Sequence, residues 1–296
     1  MQNGSRRATI VDGLSIEPCD RIVHATRDVV AGEFRCPTSY EGFRIAGHIN
    51  HYVVAFPRTA VWIQREHHFR FVADPGSATI YNPGQPYLRY PISTEGDLSD
   101  WLGISERLAR DAVRQFSAQD AEEDEPFRLV RAPVSNDIYM AQRRLFADLQ
   151  GEGDVDALRV EEQALEVVVA TLALGYRDAH RPTLAPPRRG RSRRELVENA
   201  KAVISSHLFE NLSVCELAEV IGVSPFHLCR AFRAESGVTL HAYRRDIRLR
   251  TVLGLTAEYR GNLSALAVRA GFYSHSHFTT SFRRAFGVSP SHVMPA

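Results

Sequence analysis

The chain has 296 residues, 44% of them hydrophobic and 24% charged, which is long for one globular domain, comfortable for two, and unlike disordered or fibrous sequences. No apolar run reaches the 18 residues of a membrane span and the N-terminus has no apolar signal core, so a cytoplasmic protein without membrane attachment is expected. The formal net charge of +1 hides a split: residues 181–296 hold 17 Lys and Arg against 8 Asp and Glu, and residues 1–180 hold 19 against 27. A basic C-terminal part beside an acidic partner is the electrostatic footprint of a polyanion binder.

In chain order, the first predicted elements are short β-prone runs between about Phe34 and Ile92. They are Tyr52–Phe56, Ala60–Gln64, Phe69–Val72 and Thr79–Tyr81, separated by the turn sequences Asp74-Pro75-Gly76 and Asn82-Pro83-Gly84. Strands this short at this spacing predict an all-β barrel or sandwich. From Ser105 the periodicity turns helical. Leu145 and Leu149 mark one helix, and Leu158, Leu165, Val168, Val169 and Leu172 form a stripe expected to serve both core and dimer seam. Residues 178–191, DAHRPTLAPPRRGR, lose all apolar period and predict a linker, which we bound at 181–191.

Beyond it the chain reads as helix throughout. Ser192-Arg193-Arg194-Glu195 and Ser213-Val214-Cys215-Glu216 are capping boxes, in which a hydroxyl and a carboxylate satisfy backbone N–H groups reciprocally. Gly222 ends the short helix that Ser213 opens. Ser224 caps the next, with Pro225 at its first position, and Gly237 ends it. The same grammar returns with Ser264 as the expected cap, Gly271 as stop, Ser274 as the next cap and Gly287 as terminator, and a longer helix, Leu240 to Leu255, joins the copies. Ser224, Phe232, Arg233, Gly237 and Val238 recur 50 residues later as Ser274, Phe282, Arg283, Gly287 and Val288. Two copies are too few for a solenoid, which needs three or more, and suit a paired recognition device.

At about 100° per residue, Leu228, Ala231, Phe232 and Glu235 fall on one side of the helix after Ser224, and Phe226, Cys229, Arg230 and Arg233 on the other. In the second copy Phe278, Ser281, Phe282 and Ala285 are expected inside. Ser276, Thr279, Thr280 and Arg283 are expected outside, flanked by His275 and His277. Arginine bonds guanine O6 and N7 bidentately in the major groove, hydroxyls bond bases or phosphates, and helix N-termini favour phosphates. Two such helices on a rigid spacer can enter successive major grooves about 34 Å apart.

With VSPFHLCRAFRAESGVTLHAYRRDIRL and AGFYSHSHFTTSFRRAFGVSPSHV as the specific segments, residues 192–296 resemble the DNA-binding domain of the AraC/XylS family of bacterial transcription regulators. The resemblance implies two helix-turn-helix units oriented by a central helix. It puts Phe226, Cys229 and Arg230 at base-contacting positions of the first reading helix and His275, Ser276, Thr279 and Thr280 at those of the second, with Arg248 at the family's arginine in the connecting helix. The chain departs from the pattern at Thr280, often a long basic residue, at Cys229, and after Ser289-Pro290, where an expected arginine is missing. The second helix is therefore expected to give less direct base readout. More loosely, VADPGSATIYNPGQPYLRY resembles the cupin-like sensor barrel of these regulators.

The expected fold is thus α+β and multidomain: a cupin-like β-barrel with a helical dimerisation segment over 1–180, the linker 181–191, and an all-α domain with two helix-turn-helix units over 192–296. The resemblance implies a homodimeric activator that binds double-stranded DNA, acts on RNA polymerase and answers to a small-molecule effector. Arg65, His67, His68, Tyr81 and Tyr87 are the candidate effector contacts. An enzyme is not expected, nor a cofactor or metal. The alternative, a metal-dependent cupin enzyme with an appended nucleic-acid-binding domain, would draw on His48, His51, His67 and His68. The adjacent pair 67 and 68 would point to opposite faces of a strand, and Tyr87 stands near the place of a late histidine ligand.

Overall fold

The computed structural model describes residues 19–44, 49–66, 69–151, 155–179, 193–255 and 262–293. Its N-terminal part is β-rich and its C-terminal part helical. The strands are β1 Asp20–Ala25, β2 Val29–Cys36, β3 Tyr52–Pro57, β4 Val61–Arg65, β5 Phe71–Ala73, β6 Ser77–Tyr81, β7 Tyr87–Pro91, β8 Asp97–Ile104 and β9 Arg131–Pro133. They form one sheet in the order β1-β2-β8-β3-β6-β9 and a second in the order β5-β4-β7, with every pairing antiparallel. No ladder joins the two sheets among the described residues; the two sheets pack on Phe34, Phe43, Val53, Val61, Ile63, Phe71, Tyr81 and Tyr87.

Turn chemistry acts as the sequence suggests. Asp74 Oδ1 accepts from Gly76 N at 2.7 Å, closing the β5–β6 turn. Asn82 bonds both backbone groups of Phe127 at 3.0 Å, tying the β6 end to the segment before β9. In β2, Gly32 leaves room for a ring from the neighbouring strand, because a Cβ there would lie 2.3 Å from Trp101.

Helices α1 Glu106–Arg114, α2 Ala118–Glu122, α3 Asn136–Gln150 and α4 Ala157–Ala179 cover the larger sheet. The buried stripe of α4 is Val160, Ala164, Val167, Val168, Thr171, Leu172, Gly175 and Tyr176. Of the expected stripe only Val168 and Leu172 are buried; Leu165 and Val169 are half-buried and Leu158 is 72% exposed. Small residues decide the rotation: a Cβ on Gly175 would meet Leu129 and Ala132 within 3 Å, so helix and β9 approach at a bare backbone.

The helical part comprises α5 Arg193–Ser206, α6 Val214–Ile221, α7 Pro225–Ser236, α8 Leu240–Leu255, α9 Leu263–Arg269, α10 His275–Phe286 and α11 Pro290–Val293. Leu196, Ala200, Ile204, Leu217, Ile221, Leu228, Phe232, Tyr243 and Ile247 make one core from α5 to α8. The opposite side of α8, with α9 and α10, packs Leu249, Val252, Leu266, Phe278, Phe282 and Phe286 into a core continuous with that of the β-rich part.

Polar anchors cross the same junction. Glu198, 1% exposed, accepts from Val72 N at 2.8 Å and pairs with Arg131 at 2.8 Å and Lys201 at 3.3 Å. Arg250 donates to Asn136 Oδ1 at 3.0 Å and to the carbonyls of Pro75 and Val134 at 2.8 Å. The Tyr243 hydroxyl donates to Asp74. The predicted linker 181–191 lies outside the described residues, as does Ser192 of the first capping box. No described helix is long and apolar enough to cross a membrane.

Candidate nucleic-acid interface

Local capping builds two similar helical pairs. Ser213 and Glu216 complete the capping box of α6: Glu216 N donates to Ser213 Oγ at 3.2 Å and Ser213 N to Glu216 Oε2 at 2.7 Å. These bonds hold the Glu216 carboxyl below the usual carboxylate range. Gly222 turns the chain at φ 77°, Ser224 Oγ caps α7 by accepting from His227 N at 3.2 Å, and Gly237 ends it at φ 75°. In the second pair Ser274 Oγ accepts from His277 N at 3.1 Å, and Gly287 ends α10 at φ 74°.

The cap of α9 corrects the sequence reading. Asn262 Oδ1, not Ser264, accepts from Ala265 N at 2.9 Å, and Ser264 lies inside the helix. The copies differ by one residue between stop and cap, Gly222-Val223-Ser224 against Gly271-Phe272-Tyr273-Ser274, so matching Leu212-Ser213 to Leu263-Ser264 misplaces the start.

On α7 the outward face is as expected. Cys229, Arg230 and Arg233 are exposed and Phe226 is 87% exposed, while Leu228, Ala231 and Phe232 are buried. Glu235, expected inside, is exposed. Arg230 and Arg233 make no ion pair among the described residues, which leaves both guanidinium groups available to an anion.

On α10, His275, Ser276, His277, Thr280 and Arg283 are exposed. Thr279 is half-buried and its Oγ1 is enclosed without a partner among the described residues, so the hydroxyl turns toward protein rather than outward. Phe278, Phe282 and Phe286 stack in the core, and Ser281 and Ala285 are half-buried. Tyr273, absent from the sequence-derived set, is 91% exposed with its ring 5.8 Å from that of His277. An aromatic residue one place before an N-cap was the available signal. Arg284 adds a second exposed cation to the last turn.

In the β-rich part, Arg65, Tyr81 and Tyr87 come together between the sheets. Arg65 donates to Ile80 O at 2.7 Å and to Gln85 and lies 5.0 Å from the Tyr81 ring, which is 5.1 Å from that of Tyr87. Burial raises the Tyr81 phenol and lowers the Arg65 guanidinium. His48, His67 and His68 lie outside the described residues. His51 is half-buried, and burial lowers its pKa. No three His, Cys, Asp or Glu side chains converge as a metal site among the described residues.

Sequence reasoning missed Arg89, 1% exposed, which donates to Phe43 O at 3.2 Å, lies 4.4 Å from the Phe34 ring and stands 3.8 Å from Asp97. Burial raises the Asp97 carboxyl, opposed by Arg89. Strand alternation could have found it, since Arg89 shares the inward face of β7 with Tyr87.

The sequence profile of a helix-turn-helix domain family matches residues 217–295, from α6 through both pairs. "Probable transcriptional regulator LumQ" of Photobacterium leiognathi is 36% identical over 88 residues, 30% of this chain and 36% of that protein. The "Arabinose operon regulatory protein" of Escherichia coli (strain K12) is 28% identical over 235 residues, 75% of this chain and 72% of that one. The helical part carries a helix-turn-helix domain of the AraC type.

For the "HTH-type transcriptional regulator GlxA" of Rhizobium meliloti (strain 1021) the matched part is 35% of its length, so the chain spans about a third of the length of several curated relatives it matches. Among solved structures, an AraC-type regulator from Chromobacterium violaceum is similar over 33% of this chain and 88% of its own, at 24% identity and a TM-score of 0.32. ToxT of Vibrio cholerae, bound to an unsaturated fatty acid, is similar over 92% of this chain and 96% of its own, at 13% identity and a TM-score of 0.37. Similarity of that size says nothing of this chain's arrangement or ligands.

Proposed function

We propose that this chain is a sequence-specific regulator that reads double-stranded DNA with α7 and α10, each the second helix of a helix-turn-helix unit, placed in successive major grooves. One observation carries the reading: the same capped and terminated helical pair occurs twice around α8, and each copy turns a cationic face to solvent, with the hydroxyls of Ser276 and Thr280 added on α10, while its apolar face is buried. Phe226, Cys229, Arg230 and Arg233 contact one groove; His275, Ser276, Thr280 and Arg283 contact the next, with Thr279 contributing least because its hydroxyl is enclosed. The basic balance of residues 181–296 supplies the phosphate attraction that positions both.

In this reading residues 1–180 form the effector-binding and dimerisation domain, 181–191 the linker and 192–296 the reading domain. A small molecule held near Arg65, Tyr81 and Tyr87 biases the DNA-competent dimer, which recruits RNA polymerase as an activator. The buried cations and phenols between the sheets support a polar effector site, and the continuous core across α3, α8 and α10 supplies a route by which it could act on the helical part.

Selection from random duplexes tests this function. The full chain is expected to enrich a site with two short determinants one helical turn apart; enrichment no better than that of non-specific binding would overturn it.

A further inference from the structure

We propose that Arg248 is the positioning residue that sets the register between the two reading helices, as a clasp between the helical pairs that itself stays away from the DNA. The inference rests on the DNA-reading function above, and names the part that makes two units act as one. Arg248 lies on α8 and is 7% exposed. Its Nε donates to Leu208 O at 2.5 Å and its Nη2 to Glu210 O at 2.6 Å, both on the connection between α5 and α6. Its Nη1 donates to Gly271 O at 3.2 Å, in the tight turn of the second pair. One helical turn earlier, Arg244 Nη1 donates to Leu212 O at 2.7 Å on the same connection.

Three carbonyls from two separate supersecondary units therefore meet one planar fork. Backbone acceptors matter here, because a side chain bound to backbone fixes main-chain separation, whereas contacts between side chains can slide. The guanidinium presents donors in a rigid plane; a lysine would bring a point charge on a flexible stem. The turn of the second pair is shaped for the clasp. Gly271 has φ 69°, and a Cβ there would stand 2.9 Å from Phe209 O and 3.0 Å from Arg248 Cζ. Both backbone conformation and the neighbouring guanidinium exclude a side chain at that position.

Stability alone does not account for the residue. Burial lowers the Arg248 guanidinium to about 10, so it remains cationic at neutral pH, and no carboxylate pairs with it among the described residues. A buried cation held only by carbonyl dipoles is expensive to desolvate, and an apolar side chain of similar volume would pack there at lower electrostatic cost. What the arginine adds is a fixed relation between the α5–α6 connection and the α9–α10 turn. The α9–α10 turn leads directly into α10, and the α5–α6 connection leads into α6, whose Leu217 and Ile221 pack with Leu228 and Phe232 of α7, so that relation sets the offset between the reading faces.

The test uses the full chain without DNA and then with it. Spin labels go on Cys229 of α7 and on Thr280→Cys of α10, with Cys19→Ser and Cys215→Ser removing the other accessible thiols. Cys36 is buried, its thiol pushed up to about 12, and resists labelling. Double electron–electron resonance is expected to give one narrow distance for Arg248 and a broadened distribution for Arg248→Met, with Arg248→Lys between them. On unlabelled proteins, affinity is measured for a single half-site and for paired half-sites with the spacing changed by two and by five base pairs. Arg248→Met is expected to bind the single half-site as the parent does and to lose discrimination between spacings by roughly tenfold or more. Unchanged distance width and spacing discrimination in a variant that still melts cooperatively would overturn the clasp. If Arg248→Met fails to fold, Arg248→Lys carries the same two readouts. A parent that binds no duplex would refute the DNA reading alone, leaving the distance measurement to decide the clasp.

Discussion

Arg230 shows how much one side chain can carry. It is exposed on α7, one turn beyond the Phe226 at the helix entry, and no carboxylate pairs with it among the described residues. Arg230→Ala is expected to weaken binding to the selected site by about 1–3 kcal/mol and to relax preference at one base pair, measured by titration against single-base variants. Equal losses on every sequence would recast Arg230 as a phosphate contact. The face of α7 was readable from sequence because Leu228 and Phe232 are large and apolar at helical spacing. Glu235 was misplaced since it closes the helix, where the buried face frays into solvent. Thr279 was misplaced because α10 packs on α3 as well as on its own unit, a tertiary contact with no local signature. Arg89 escaped notice because buried cations run against composition, although strand parity pointed inward.

At the scale of elements, caps and terminators were the most legible features, since each follows from a local hydrogen bond or a positive φ. Ser213, Ser224, Ser274, Gly222, Gly237, Gly271 and Gly287 occupy the expected places. The start of α9 did not, because Leu263-Ser264 imitates Leu212-Ser213 while the true hydrogen bond comes from Asn262. Asn262→Ala is expected to destabilise α9 by about 1 kcal/mol, seen as a lower urea midpoint, with Ser264→Ala near neutral. The reverse order would restore Ser264 as the cap. Strands were less readable. Strands β1, β2, β7, β8 and β9 were not foreseen: β2 is buried on both faces apart from Arg35 and so lacks alternation, and β8 carries Asp97 and Asp100 into the interior. The rotation of α4 depends on Ala164, Thr171 and Gly175, which a hydropathy stripe overlooks.

For the whole molecule, charge division and the order of β-rich then helical parts were legible, whereas the docking of one part on the other was not. Its anchors are a glutamate, a tyrosine and arginines, residues that sequence assigns to the surface by default. Glu198 is the sharpest case. Burial would raise its carboxyl, but Lys201, Arg131 and the Val72 amide outweigh burial and hold it below the ordinary value of 4.5. Its contribution is therefore fully present above that value and is lost as pH falls through the folded pKa. Glu198→Gln is expected to destabilise the protein by roughly 2–4 kcal/mol at neutral pH, and to flatten the acid limb of a plot of melting temperature against pH. An unchanged acid limb would mean that the anchor does not hold the docked state.

Hydroxyl-radical footprinting of the full chain on its selected site tests the central claim most directly, because it shows where along the duplex each helical pair sits. Two protected patches on one face, about 10 base pairs apart, are predicted, the first lost in Arg230→Ala and the second in Arg283→Ala. A single patch, or two patches that both vanish with Arg230 and ignore Arg283, would contradict the pairing of α7 with α10.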